Sequence, residues 1–174
     1  QAGSDGLMPD VWPSGSRFAL LDGTPSQIEL SPNLRNVSQT FRVGPALRGL
    51  DDPSYQEVVT AFAGNGLRPL TPVHIRSSFG SDGTCNLSWI RRTREGGDNW
   101  DMPDVPISEE NERYLLRVIS SGEIKREALV DAPDWQYTDA MQIEDGITVP
   151  YEISIAQVSA TYGEGLEQRI HLAP

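Results

Sequence analysis

From residue 73 onward the sequence alternates with a period of two. Val73 and Ile75 are offset from His74 and Arg76, and Cys85, Leu87 and Trp89 from Asn86, Ser88 and Ile90. Tyr114, Leu116 and Val118 share one parity. So do Trp135 and Tyr137, then Tyr151, Ile153 and Ile155, and finally Ile170 and Leu172. Successive side chains of a strand point to opposite faces, so this period buries one face and wets the other. Turn signals separate the runs at Ser81-Asp82-Gly83, Ser120-Ser121-Gly122 and Glu144-Asp145-Gly146, and Tyr162-Gly163-Glu164-Gly165 reads as a loop before the last strand. With 124–130 as the return of a hairpin, the pattern predicts seven short strands in about one hundred residues, the arithmetic of an all-β sandwich. Leu87, Trp89, Tyr114, Trp135 and Tyr151 are its predicted structural core. Cys85 shares their parity and reads as a small buried residue, not a nucleophile.

Before residue 73 the pattern is weaker. Residues 1–16 read as a linker or N-terminal arm, without the basic and apolar regions of a signal peptide; such an opening leads us to expect a piece of a longer protein. Residues 17–72 read as a small β-rich module. Its expected parts are a hairpin of 18–21 with 27–30 about Asp22-Gly23, a strand with Phe41 and Val43 on one face, and a strand or short helix over 58–62. Asp51-Asp52-Pro53-Ser54-Tyr55 is either a turn or a helix start. The proline-stiffened stretch 67–72 marks the boundary with the sandwich, 73–174. At about 60 residues with sparse apolar runs, the first module is marginal alone and is expected to need a neighbour.

Charge separates the two parts. Residues 1–72 hold seven acids against five arginines, net −2, and the remainder 18 acids against nine bases, net −9, together the −11 of the whole chain. The first part can lie against other protein, and the second stands in solvent. Such acidity excludes wrapping of nucleic acid, and no run approaches the roughly 20 apolar residues of a membrane-spanning helix. One cysteine excludes an internal disulfide and a cysteine-based zinc site. The bases are 13 arginines and a single lysine, Lys125. This skew reflects base composition or arginine pairing at interfaces.

Two resemblances follow from particular strings. Leu87-Ser-Trp89, Arg113-Tyr-Leu-Leu-Arg-Val118 and Tyr151-Glu-Ile-Ser-Ile-Ala156 followed by Tyr162-Gly-Glu-Gly165 resemble the second, third and sixth strands of a fibronectin type III domain, with Tyr151 at the tyrosine corner. The insertion 94–111 is longer and more charged than that family's pattern. A narrower resemblance spans most of the chain. Trp12-Pro-Ser-Gly-Ser16, Leu20-Leu-Asp-Gly23, Asp52-Pro-Ser-Tyr55, Gly66-Leu-Arg-Pro69, Pro72-Val-His-Ile-Arg76 and Leu87-Ser-Trp-Ile-Arg-Arg-Thr-Arg94, with Asp98-Asn-Trp100 and Glu109, resemble the C-terminal part of the tail hub protein of gene transfer agents and siphophage-like particles. That resemblance implies a virion structural protein of the baseplate or tail tip. It would be made in the bacterial cytoplasm, assemble as a homotrimer with other tail proteins, and act outside the cell, where the sandwich serves assembly or host attachment through a surface glycan or protein.

Each candidate site has a plainer reading beside the functional one. Arg91, Arg92 and Arg94 form the densest basic cluster and, with Trp100 in a polar loop, are the candidate partner contacts. The plainer reading is a strand end laced with ion pairs. Asp98, Asp101, Asp104, Glu109 and Glu110 could ligate calcium, but lack EF-hand spacing and read better as a solvated loop. Trp135 alternates with Tyr137 and reads as core. His74 and His171 lie at opposite ends of the sandwich, and no nucleophile elbow, zinc-protease motif or phosphate loop accompanies them. Two sequons, at Asn36 and Asn86, read as chance matches. The expected function is therefore structural and non-enzymatic, with no cofactor and no metal. The competing reading is a carbohydrate-binding or spacer module of a secreted hydrolase, which requires an exposed planar aromatic set.

Overall fold

A computed structural model describes residues 8–20, 22–23, 25–26, 28–97, 101, 104–147 and 150–173. The chain divides between Gly66 and Leu67 into two compact units. The cut falls ahead of the expected boundary at Pro72. Pro69 and Pro72 are buried, and a Cβ on Gly165 would meet the Pro69 carbonyl oxygen at 2.4 Å. Burial of these prolines makes the connector part of the sandwich.

In the first unit β1 (Gln39–Val43) pairs antiparallel with β2 (Gln56–Thr60), Phe41 standing opposite Val58. The Phe41 ring meets Phe62 edge-on at 5.9 Å. Between the strands, Asp51–Tyr55 resolves as a turn, in which Asp52 Oδ1 accepts from Ser54 N at 2.9 Å and Oγ at 2.7 Å. Those two bonds hold the Asp52 carboxyl below the usual carboxylate range. The Tyr55 hydroxyl donates to the carbonyls of Pro45 and Arg48 at 3.1 and 3.3 Å. Its ring fills the space a side chain on Gly44 would need, a Cβ there falling 2.5 Å away. The expected hairpin 18–21 with 27–30 does not form. Its described residues carry no strand, and Phe18, Leu20 and Ile28 are exposed. A lone two-stranded hairpin is marginal in water, and among the described residues of this unit none buries its apolar side. Leu21 and Gln27, at the ends of its expected strands, lie outside the described residues.

The second unit is a sandwich. One sheet has the order β3 (Val73–Phe79), β4 (Cys85–Ile90), β7 (Asp134–Tyr137). The other runs β10 (Gln168–Leu172), β8 (Tyr151–Ser159), β5 (Tyr114–Ser120), β6 (Glu123–Val130), with the short β9 (Gly163–Glu164) on the end of β8. All pairings are antiparallel. The chain crosses between sheets after β4, β6 and β7. This all-β order is that of a fibronectin type III-like sandwich.

Alternating residues of both inner faces build the core: Cys85, Leu87 and Trp89 from β4, Tyr114, Leu116 and Val118 from β5, Tyr137 from β7, Tyr151, Ile153 and Ile155 from β8, and Leu172. Trp135 is partly buried against them. Trp89 meets Tyr114 edge-on at 5.1 Å, Tyr137 meets Tyr151 at 5.8 Å, and Trp135 stacks on Tyr137 at 5.2 Å. Full burial of such a side chain is worth about 1.5–3 kcal/mol, and an aromatic pair adds about 0.5–1.5 kcal/mol.

Two details depart from simple alternation. His74 has φ +53°, and the register of β3 against β4 shifts between Val73 and Arg76. Beyond this bulge Ser77 and Phe79, not Arg76, stand opposite Leu87 and Cys85. At 144–146, where the sequence signals only a turn, a short helix α1 (Asp139–Glu144) comes first. Thr138 Oγ1 accepts from Met141 N at 3.3 Å, and Gly146 ends the segment at φ +66°. A threonine cap followed by an acidic residue was the available signal.

Candidate functional site

The long connection between β4 and β5 is the most elaborate polar structure in the sandwich. Arg91, the residue after β4, reaches back across it. Its guanidinium donates to the Val105 carbonyl at 2.7 Å and pairs with Asp104 at 2.6 Å and Glu112 at 3.3 Å. Arg94 donates through Nε and Nη2 to Glu109 Oε1 at 3.0 and 2.8 Å, and lies 5.3 Å over the Tyr162 ring. The Glu109 side chain is only 2 % exposed. Its Oε2, and Arg91 Nε, are buried without a hydrogen-bond partner.

Glu110 completes the arrangement from the other side. Its carboxylate accepts from Ala160 N at 3.1 Å, Ser159 Oγ at 3.2 Å and the Thr161 hydroxyl. The Thr161 bond leads a set that holds its carboxyl down to about 2. The β4–β5 connection is thereby fastened to the β8–β9 turn. Arg91 and Arg94, expected as partner contacts, are consumed in holding this loop. Arg92 is exposed and has no partner among the described residues. Trp100, the fourth expected contact, lies outside the described residues, as does Asp98.

The acidic residues of the loop are divided among separate tasks. Asp104 serves Arg91, Glu109 serves Arg94, and Glu110 holds the neighbouring turn. Among the described residues no group of three His, Cys, Asp or Glu side chains could hold a metal ion.

A second polar centre ties β6 to α1. Arg126 grips Asp145 through Nε at 2.7 Å and Nη2 at 2.9 Å, and pairs with Glu144 at 2.7 Å. The buried Tyr137 hydroxyl donates to the same Asp145 at 2.6 Å. Burial would raise the Asp145 carboxyl, but the Arg126 and Tyr137 bonds outweigh it and hold it below the usual range. Tyr137 was missed as a site residue, though its alternation with Trp135 was the signal.

Of the expected core residues, Leu87, Trp89, Tyr114 and Tyr151 are buried and Trp135 is partly so. The Tyr114 hydroxyl donates to Glu112 at 2.8 Å, and burial, then Glu112, pushes its pKa up. Tyr151 differs from a tyrosine-corner residue. Its hydroxyl is buried with no oxygen or nitrogen partner and faces only the weakly bonding Cys85 thiol. Burial also pushes the Cys85 thiol up, which makes it less available as a thiolate.

A cleft of about 620 Å3 opens on the outer face of the four-stranded sheet. Arg117 sits at its centre, gripping Glu164 at 2.5 and 2.7 Å and Glu127 at 2.8 Å. Arg169 donates to Glu167 at 2.8 and 2.5 Å and to Glu152 at 3.4 Å. His171 Nδ1 lies 3.3 Å from Glu152, on a side chain 80 % exposed. Sequence reading noted His171 alone. The other groups are far apart in the chain and meet only because β5, β6, β8 and β10 are neighbours.

No protein-family model matches the chain, and no curated protein matches it. Among solved structures it is similar to the rat CD45 extracellular region, domains d3–d4, with 16 % identity and a TM-score of 0.46, over 96 % of this chain and 79 % of that one. It is also similar to a structure described as FN3tt mut, with 16 % identity and a TM-score of 0.40, over 60 % of this chain and 94 % of that one.

Proposed function

We propose that the chain is a non-catalytic structural component of a phage-like tail tip or baseplate hub. In this reading the first unit packs within the assembly, in three copies, and the sandwich projects from it for assembly or host-surface contact. The observation that carries the reading is the surface of residues 8–66. Among the described residues none of their side chains is buried, and thirteen large apolar ones stand exposed, among them Trp12, Phe18, Leu47 and Leu50. Exposed apolar surface on this scale marks a partner site. The sandwich by contrast has its own core and carries most of the negative charge, as a solvated module does. The hub resemblance of the strings around Trp12, Tyr55 and Trp89 supplies the kind of assembly.

A non-catalytic role is supported by what the two polar centres contain. Their arginines are paired with carboxylates, and among the described residues neither centre sets a nucleophile against a base. The test is localisation. Electron microscopy of purified particles should show this chain at the tail tip, and deleting residues 8–66 should remove it from the particle. Particles that assemble complete tails without the chain would end the reading.

A further inference from the structure

The cleft on the four-stranded sheet mixes apolar and charged side chains. Ile119, Ile124 and Pro150 line it, and Ile124 is 54 % exposed. Glu127, Glu152 and Glu167 line it with Arg117, Arg169 and His171, and Glu164, bonded to Arg117 from beside the lining, brings a fourth carboxylate against two guanidiniums, 4 − 2 = 2 negative charges in excess. Glu127 is bonded only through Oε1, and its side chain is 54 % exposed. Arg117 is by contrast 21 % exposed and saturated by its own carboxylates, so it is a poor anchor for an anion.

We propose that this cleft docks a basic segment of a partner protein. A lysine or arginine of that segment meets the exposed Glu127 carboxylate, and an adjacent apolar residue covers Ile119 and Ile124. Charge complementarity chooses the occupant. A cation adds to a site with excess carboxylate, whereas a second copy of this chain would bring another sandwich of net −9 against it. The size fits, since pockets of roughly 300–1,000 Å3 take a few side chains or a small ligand. The proposal stands apart from the tail-tip reading: it concerns what the sandwich binds, wherever the chain resides.

The experiment uses the full chain, labelled with nitrogen-15, and a short blocked peptide of alternating leucine and lysine. Amide shift changes should saturate and concentrate at residues 117–127, 150–152 and 167–171. Glu127→Gln should weaken binding by about two- to fivefold, the scale of exposed ion pairs. Ile124→Ser should weaken it as well, while the spectrum outside the cleft reports an intact fold. A peptide with glutamate in place of lysine should not bind. The proposal is overturned if there is no saturable binding, or if changes centre on 104–112 or 131–145. It is equally overturned if the variants bind as the parent does, or if a leucine-free lysine peptide binds equally well.

Discussion

Arg94 and Glu109 form the most deeply buried ion pair among the described residues of the sandwich, their side chains 12 % and 2 % exposed. The pair closes a loop whose two ends lie on β4 and β5. Removing one partner strands a charge away from water, at a cost of about 3–5 kcal/mol. Arg94→Met should therefore lower the midpoint of urea unfolding steeply, and limited proteolysis should then cut within 94–111. Arg94→Met with Glu109→Leu should be milder than Arg94→Met alone. An Arg94→Met protein as stable as the parent would contradict a structural role.

Tyr151→Phe removes a buried hydroxyl that faces only the weakly bonding Cys85 thiol, with no oxygen or nitrogen partner. Such a group has already lost its water, so its removal should be neutral or stabilising, by up to about 1 kcal/mol. A tyrosine-corner hydroxyl would give the opposite sign. Thermal unfolding of the single variant decides between them. Tyr137→Phe is the contrast, because its hydroxyl is spent on Asp145, and its loss should destabilise by about 1–3 kcal/mol.

Acid should destabilise the sandwich over a defined window. Hydrogen bonds from the Thr161 side chain and its neighbours take the Glu110 carboxyl from 4.5 to about 2. A depressed carboxylate stabilises the fold above its unfolded value, and that contribution fades as pH falls through the folded value. Asp145 and Glu167 are also held low, burial being outweighed by Arg126 and Arg169 respectively, and act in the same direction. Stability should thus be level near neutrality and fall between 4.5 and about 2. Glu110→Gln should make that fall shallower, read as the slope of unfolding midpoint against pH.

The connector predicts where the sandwich can be cut. A chain beginning at Leu67 keeps the buried Pro69 and Pro72, and one beginning at Val73 loses them. The shorter fragment should be less stable by about 2 kcal/mol. Gly165→Ala in the longer one should cost about 1–3 kcal/mol, because its Cβ would press on the Pro69 backbone at 2.4 Å. Equal stability of the two fragments would place the boundary at Pro72 after all. Calorimetry of the pair gives the answer.

The sandwich was legible because its core follows a local rule. Leu87 and Trp89, Tyr114 to Val118, and Tyr151 to Ile155 alternate by strand geometry, which each segment carries in itself. The bulge at His74 escaped that rule, since one inserted residue shifts register without changing the apolar count. The expected hairpin at 18–30 failed for the complementary reason: local turn chemistry at Asp22-Gly23 needs a covering surface, and the described apolar residues Phe18, Leu20 and Ile28 stay exposed.

The sequence by itself determined the all-β class, the inward set of core residues and the separation of a near-neutral segment from an acidic one. Periodicity and charge are properties of neighbours along the chain. Only the tertiary structure decided what the charged residues do. Arg91 and Arg94 look like a docking patch in the string that contains them, but their carboxylates lie at 104, 109 and 112 and turn inward to meet them. The cleft groups come from four strands that alternation cannot order. Pairing across the sheet brings Arg117, Glu127, Glu152 and Arg169 to one face, and strand order is fixed by packing and crossovers, not by any one segment.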